Sequence, residues 1–180
     1  MPVYITYFVH STTTDNQQGL ATGWLPGELS EIGKEQAAKL GELVANKHFD
    51  VVFCSDLQRA ILSAELGFGD KYEIVQDKRL RECNYGDMDG KPASDFKNRM
   101  DDFIDTSFPN GESYKDVEAR LADFVHFLRD NYDGKHVAIV AHQAPQLALD
   151  VLRKGKSWPQ AISEDWRKAK AWQPGWEYII

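Results

Sequence analysis

Two short apolar segments constrain the fold most strongly, because each is typical of a buried strand and each ends in a histidine. The first is VYITYFV, followed by His10, and the second is HVAIVA, followed by His142. Both have the apolar, β-branched-rich composition of strands, over a length too short for a typical helix. If the two strands are parallel neighbours, their terminal histidines project into one crevice at the carboxyl edge of the sheet.

The rest of the chain alternates strand-like and helical patterns. Ser30 is a candidate N-cap for a helix whose apolar face contains Ile32, Ala37, Leu40 and Val44. Further helices are predicted over residues 113–132 and from about 145 to 153, and further strands in FDVVFCSD, YEIVQD and GWEYII. This alternation predicts an α/β fold, specifically a three-layer α/β/α sandwich with a mostly parallel sheet. We expect a single domain over residues 1–180.

Composition narrows the class of protein. The 180 residues carry a net charge of -7 and include two cysteines. An acidic chain argues against nucleic-acid partners and anionic membranes, although a pocket can still be locally positive. The N-terminus lacks the features of a signal peptide, and no apolar run approaches the ~18 residues that span a bilayer. We expect a cytoplasmic protein with two reduced thiols and no disulfide framework.

Several polar residues follow the predicted strands and favour an anion-binding pocket. A helix is predicted in LQRAILSAELGFG, directly after the second strand, with Ser55 and Asp56 as its expected N-cap. Arg59 lies in the first turn of this helix, and Glu82 follows the third strand. Threonines 12–14 and the Asn16 amide follow the first strand. A guanidinium donates two hydrogen bonds to a phosphoryl group, a neutral imidazole accepts one covalently, and a carboxylic acid protonates the leaving oxygen. Each residue alone has an ordinary structural explanation, but together they favour phosphoryl chemistry.

Six segments in order resemble the histidine phosphatase superfamily, which includes phosphatases and phosphoglycerate mutases: YFVHSTTTDN, GLATGWLPGELSEIG, FCSDLQRAILSAE, LRECNYGDMDG, FPNGESYKDVEAR and VAIVAH. The resemblance implies a phosphoglycerate mutase-like fold and a phosphohistidine mechanism without a cofactor or metal ion. It assigns the roles of nucleophile, proton donor and hydrogen-bonding partner of the transferring group to His10, Glu82 and His142, respectively. It assigns phosphate binding to Arg59 and Asn16, and substrate contacts to Thr22 and Gly23.

Three residues beside the histidines depart from the family pattern, which has arginine at Val9 and glycine at Ser11 and Gln143. A charged hydrogen bond is worth roughly 1.5–3 kcal/mol, so the missing arginine bears on activity. One hypothesis is an active, altered phosphohydrolase in which Gln143, Ser11, Arg79 or Arg81 replaces the lost donor, with Gln143 as the phosphate-binding candidate. The second is a weak or inactive relative that binds a phosphorylated or other anionic ligand. The third is a metal site of two histidines with Asp56 or Glu82.

The chain length favours a small phosphatase over a mutase, because 180 residues leave little room for the insertions of the mutases. We expect a small phosphorylated molecule as substrate. The segment 91–110 is expected to cover the pocket, with its phenylalanines either lining it or buried in the core. The tail tryptophans Trp166, Trp172 and Trp176 are expected to pack on the sheet.

Overall fold

A computed structural model describes residues 1–169 and 173–180, so Trp172 lies outside the described residues. The strands are β1 (Tyr4–Val9), β2 (Val51–Cys54), β3 (Ile74–Gln76), β4 (His136–Ala141) and β5 (Trp176–Ile179). The helices are α1 (Thr14–Gln18), α2 (Glu31–Leu43), α3 (Gln58–Phe68), α4 (Tyr114–Asn131), α5 (Gln143–Lys154), α6 (Trp158–Ser163) and α7 (Trp166–Ala169). Four short 3-10 segments lie between β3 and α4.

The strands form one mixed sheet in the order β3-β2-β4-β1-β5, in which only β5 is antiparallel to its neighbour. β1 and β4 are parallel neighbours, and Val9 pairs with Ala141. This register places His10 and His142 side by side immediately beyond the two strands. The predicted parallel pairing of the two histidine-terminated strands is therefore confirmed.

Helices cover both faces of the sheet, as the strand-helix alternation predicts. One apolar cluster joins α2 and α3 to the face that presents Phe8 and Val52. The larger cluster joins α4 and α5 to the opposite face, which presents Ile5 and Ile139. The predicted apolar stripe of α4 is fully confirmed, since Val117, Leu121, Phe124, Val125 and Leu128 are all buried.

Three local predictions are wrong or incomplete. Ile32 is 54% exposed, because α2 approaches the loop after β1 through Gly33, where an added Cβ would lie 1.9 Å from the Thr12 carbonyl oxygen. The residue that caps α3 is Leu57, without a side-chain bond, because the Asp56 carboxylate is paired with Arg81 instead. Helix α5 begins two residues earlier than expected, directly after His142.

Two expectations about the chain's environment are addressed by the same structure. Among the described residues, none of the helices has the length and apolarity that crossing a membrane requires. Cys54 and Cys83 are both free thiols and both buried, as expected for reduced cysteines. Burial raises the pKa of each thiol well above its ordinary value.

Candidate active site

A cavity of about 540 Å³ opens at the carboxyl edge of the sheet, beyond β1, β2 and β4. It contains most of the site residues predicted from the sequence. Its lining residues include His10, Asn16, Thr22, Gly23, Arg59, Glu82 and Gln143, together with Val9, Tyr85, Ala93, Lys97, Met100, Asp165, Trp166, Arg167 and Lys168. Four of the charged residues are cationic and two are anionic, so this wall is positive in a protein of net charge -7.

His10 is held in one tautomer by its own loop. Its Nδ1 lies 2.8 Å from the Ser11 carbonyl oxygen. Because a carbonyl only accepts hydrogen bonds, Nδ1 carries the proton and Nε2 keeps its lone pair. Burial, reinforced by the positive charge of Arg59, lowers the pKa of His10 to about 3. His10 is therefore a neutral imidazole at physiological pH, with its lone pair on Nε2.

His142 packs against His10, with 5.1 Å between the ring centroids. Its backbone is fixed by Tyr7, whose buried hydroxyl donates to the His142 carbonyl at 2.7 Å and accepts from the His142 N–H at 2.9 Å. The ring is fully buried, and neither Nδ1 nor Nε2 has a hydrogen-bond partner among residues 1–169 and 173–180. Burial lowers its pKa well below the ordinary value for histidine, with Arg59 adding to the effect. A buried polar group without a partner is rare in folded proteins, and a catalytic role is one explanation for it. His142 itself is not among the described residues that line the cavity, so its ring adjoins the cavity through its contact with His10.

Arg59 is a buried guanidinium whose partners are neutral. Its Nη1 donates to the Leu25 carbonyl at 3.0 Å, and its Nη2 donates to the Gly23 carbonyl at 2.7 Å. A guanidinium has five N–H donors, so three remain for an anion. The turn that supplies these carbonyls needs glycine, since Gly23 has a φ of +53° and an added Cβ would lie 1.6 Å from Asp89 Oδ1. A buried cation with only neutral partners favours an anionic ligand beside it.

Glu82 is fixed at the beginning of α5. Its Oε1 accepts from the N–H groups of Cys83 (2.9 Å) and Ala144 (3.0 Å), and its Oε2 accepts from the N–H of Gln143 (3.2 Å). A carboxylate has about four acceptor positions. These bonds occupy three of them, and the fourth, on Oε2, has no donor among residues 1–169 and 173–180.

The remaining predicted residues shape the rim of the cavity. Asn16 forms the capping box of α1 with Thr13, and its Oδ1 accepts from the Thr13 N–H at 3.0 Å. The Thr22 hydroxyl donates to Asp15 Oδ2 at 2.8 Å. The side-chain amide of Gln143 is engaged on both atoms, since Lys97 Nζ donates to Oε1 at 2.6 Å and Nε2 donates to Asp165 Oδ2. A direct contact between that amide and phosphate would therefore replace one of these bonds.

Two of the proposed replacements for the missing arginine, Arg79 and Arg81, are paired with aspartates outside the cavity. Arg79 is bonded to Asp77, and Arg81 makes two bonds to Asp56, at 2.7 and 2.6 Å. Neither arginine is among the described residues that line the cavity. The Ser11 N–H is likewise occupied by the Ser63 hydroxyl at 3.0 Å.

The metal hypothesis lacks a suitable ligand set. Within residues 1–169 and 173–180, no group of three or more His, Cys, Asp or Glu is placed to hold a metal ion. The two carboxylates considered for it have other partners, since Asp56 binds Arg81 and Glu82 binds backbone N–H groups.

The segment 91–110 contributes Ala93, Lys97 and Met100 to the cavity wall, in line with its expected position. Its phenylalanines Phe96 and Phe108 are instead fully buried. Of the tail tryptophans, Trp166 lines the cavity and packs against Trp176, with ring centroids 5.2 Å apart.

Sequence reasoning missed several residues that build this site. Tyr7 holds His142, and Arg120 donates to the Arg79, Arg81 and Glu82 carbonyls at 2.7, 2.8 and 2.9 Å. Strand alternation could have shown Tyr7 on the buried face, but nothing in the sequence pattern identifies its partner. Asp165 and Arg167 come from a segment without hydrophobic periodicity, so no sequence signal placed them here. Lys97 lies in the segment 91–110, which is expected to cover the pocket, but no pattern singles out its side chain.

This geometry defines an α/β sandwich with two neighbouring histidines, a buried guanidinium and a glutamate at the carboxyl edge of its sheet. A sequence profile of the histidine phosphatase superfamily (branch 1) matches residues 7–169, and the chain belongs to that superfamily. It is 29% identical over 149 residues to phosphoserine phosphatase 1 of Hydrogenobacter thermophilus, covering 78% of this chain and 71% of that one. It is 31% identical over 163 residues to a 2,3-bisphosphoglycerate-dependent phosphoglycerate mutase of Methylorubrum extorquens, covering 81% of this chain and 76% of that one.

A solved structure shows the same fold. The chain superposes on a mycobacterial glucosyl-3-phosphoglycerate phosphatase in complex with VO3 with a TM-score of 0.79 and 25% identity. The match covers 90% of this chain and 86% of that one. The predicted three-layer, mostly parallel α/β architecture of the phosphoglycerate mutase type is thus confirmed. Homologues in this superfamily are phosphatases and mutases, which supports an enzyme.

Proposed function

We propose that the protein is a phosphomonoester hydrolase that acts through a phosphohistidine on His10, without a metal ion, on a small phosphorylated molecule. One observation carries the proposal: the two unpartnered, buried ring nitrogens of His142 lie beside the neutral His10 ring. The three remaining N–H donors of the buried Arg59 support it, because a phosphoryl group can accept them.

The first step transfers the phosphoryl group to the protein. His10 Nε2 attacks phosphorus, and an N–P bond forms while the P–O bond to the leaving group breaks. Glu82, protonated at the open position on Oε2, gives its proton to the leaving oxygen. Arg59 and a ring N–H of His142 donate hydrogen bonds to the phosphoryl oxygens and stabilise the charge in the transition state.

The second step returns the protein to its starting state. Glu82 takes a proton from water, and the resulting hydroxide attacks phosphorus. The N–P bond then breaks, which releases inorganic phosphate and restores the neutral His10. Glu82 is again protonated, so protons and electrons balance over the cycle.

The test is the hydrolysis of p-nitrophenyl phosphate in the presence of a chelator, by the wild type, His10→Ala and His126→Ala. His126 is an exposed histidine on α4 and serves as the matched control. We expect turnover by the wild type and by His126→Ala, and loss of turnover to background in His10→Ala. Turnover that survives in His10→Ala, or that the chelator removes, would contradict the proposal.

One observation favours the second hypothesis, a protein that binds its ligand without turnover. Val9 is an apolar residue on the cavity wall directly before His10, where the resemblance implies an arginine. Saturable binding of orthovanadate by a wild type without phosphatase activity would support that function instead.

A further inference from the structure

The cavity contains a second guanidinium that has no counterpart in the sequence-based prediction. Building on the proposed function, we propose that Arg167 binds the phosphoryl group at His10 and supplies the charged hydrogen bonds that Val9 cannot make. Arg167 lines the same cavity as His10 and Arg59, although it lies far away in sequence, in α7.

The Arg167 side chain is held in place from two sides. Its Nη1 donates to Asp165 Oδ1 at 2.8 Å, and its guanidinium carbon lies 4.5 Å from the ring centroid of Trp166. Asp165 is itself only 4% exposed. Since the bond to Asp165 uses one of five N–H donors, the guanidinium retains several for an anion while its position is fixed. Such preorganisation reduces the entropy that binding would otherwise cost.

Hydrogen bonds connect Arg167 to the residue that follows His142. Asp165 Oδ2 accepts from the Gln143 side chain, and Gln143 Oε1 accepts from Lys97 Nζ at 2.6 Å. The backbone N–H of Gln143 binds Glu82. Gln143 is thus a positioning residue. Its side chain binds Lys97 and the Asp165 that holds Arg167, and its backbone follows His142 and binds Glu82.

The position of Val9 also supports the proposal that Arg167 takes the place of the missing arginine. A second cavity of about 500 Å³ lies beside the first, and Val9, His10, Thr12 and Trp166 line both. These four residues therefore form a shared wall, in which Trp166 of α7 lies near the end of β1. The charge of Arg167 also contributes to lowering the pKa of His10, after burial and Arg59, which places the guanidinium within electrostatic range of the nucleophile.

The experiment compares the wild type with Arg167→Gln, Asp165→Asn and the double variant Val9→Arg/Arg167→Gln. Arg153→Gln is the matched control, because it removes the same charge at the far end of α5, where Arg153 bonds the Ile179 carbonyl. Binding of orthovanadate is measured by calorimetry, hydrolysis of p-nitrophenyl phosphate by initial rates, and folding by circular dichroism and thermal melting.

We expect Arg167→Gln to weaken orthovanadate binding and to lower kcat/KM, each by about 10- to 100-fold, the range for a charged hydrogen bond. Arg153→Gln should change neither quantity. Asp165→Asn should weaken binding less, since it loosens the guanidinium without removing it. Val9→Arg should restore part of the loss in the Arg167→Gln background, a rescue that a merely structural role of Arg167 would not allow.

The outcomes separate this inference from the proposed function. If Arg167→Gln binds orthovanadate like the wild type, or if the wild type does not bind it, the inference is wrong. Turnover that depends on His10 but not on Arg167 would overturn the inference and leave the proposed function intact. Binding that depends on Arg167 in a wild type without turnover would support the inference and overturn the proposed function. If Arg167→Gln loses both orthovanadate binding and thermal stability, and Val9→Arg does not restore the binding, Arg167 has a structural role and the inference is overturned.

Discussion

Substitution of Tyr7 by phenylalanine tests how the site is held together. The Tyr7 hydroxyl donates to the His142 carbonyl at 2.7 Å and accepts from the His142 N–H at 2.9 Å, and Tyr7 is fully buried. In Tyr7→Phe the carbonyl keeps a second bond, from the Gln146 N–H at 3.4 Å, whereas the buried His142 N–H loses its acceptor. We therefore expect both a loss of stability and a displaced His142.

The magnitude follows from the two bonds. Each neutral hydrogen bond contributes roughly 0.5–1.5 kcal/mol net, and a buried N–H left without a partner costs about 1–3 kcal/mol. Tyr7→Phe should therefore lower the free energy of unfolding by about 2–4 kcal/mol, a substantial part of the ~5–15 kcal/mol typical of a domain. We also expect a lower kcat, because His142 would no longer face the phosphoryl group in a fixed orientation.

Urea unfolding followed by circular dichroism measures the loss. Tyr4→Phe is the matched control, because Tyr4 lies on the same strand and is 46% exposed, so its hydroxyl is open to water. This control should change the free energy of unfolding by less than about 0.5 kcal/mol. A loss below about 1 kcal/mol in Tyr7→Phe, or a loss equal to that of the control, would refute the assigned bonds.

Three further predictions concern Glu82 as the proposed proton donor, the turn at Gly23 that holds Arg59, and the buried His142. Glu82→Gln should lower kcat/KM, which reports the phosphoryl-transfer step, about 100-fold or more for phenyl phosphate but much less for p-nitrophenyl phosphate, because p-nitrophenolate leaves without a proton. Equal losses of kcat/KM would exclude Glu82 as the acid. Gly23→Ala should weaken phosphate binding by moving the carbonyl that holds Arg59, whereas Gly19→Ala, at a positive φ but with no neighbour within 4 Å, should not; identical isotherms for the two variants would argue against this turn. The folded-state pKa of His142 is depressed below 6.5, so the unfolded chain binds more protons on acidification. His142 alone should therefore lower the free energy of unfolding below that pH by at most about 1.4 kcal/mol per pH unit, and His10, whose pKa is also lowered, adds a decrease of its own. Urea titrations at neutral and mildly acidic pH should show a smaller decrease in His142→Gln, and an unchanged pH dependence in that variant would contradict the assignment.

Much of the fold and part of the candidate site could be predicted because they depend on local patterns. The runs that end in His10 and His142 are apolar enough to be adjacent central strands, and parallel strands bring their carboxyl ends together. That rule also places Arg59 and Glu82 near the two histidines, and in the structure all four residues lie at the carboxyl edge of the sheet.

The errors have a common cause, which is competition between local and tertiary contacts. Asp56 could have capped α3, but the guanidinium of Arg81 offers it two charged bonds, which are stronger than a cap. Asp165 and Arg167 reach the cavity only because α6 and α7 return to the strand end, and that path depends on packing that no periodic pattern encodes.

The most direct test of the central claim is the mass of the intact protein after rapid mixing with p-nitrophenyl phosphate and quenching in alkali, where phosphohistidine is stable. The wild type should gain one phosphoryl group, and this group should map to the peptide that contains His10. The group should be lost in acid. Arg153→Gln should gain it as the wild type does, and His10→Ala should not. A phosphoryl group that still forms in His10→Ala, or turnover by the wild type with no phosphorylated protein at any quench time, would contradict a phosphohistidine on His10.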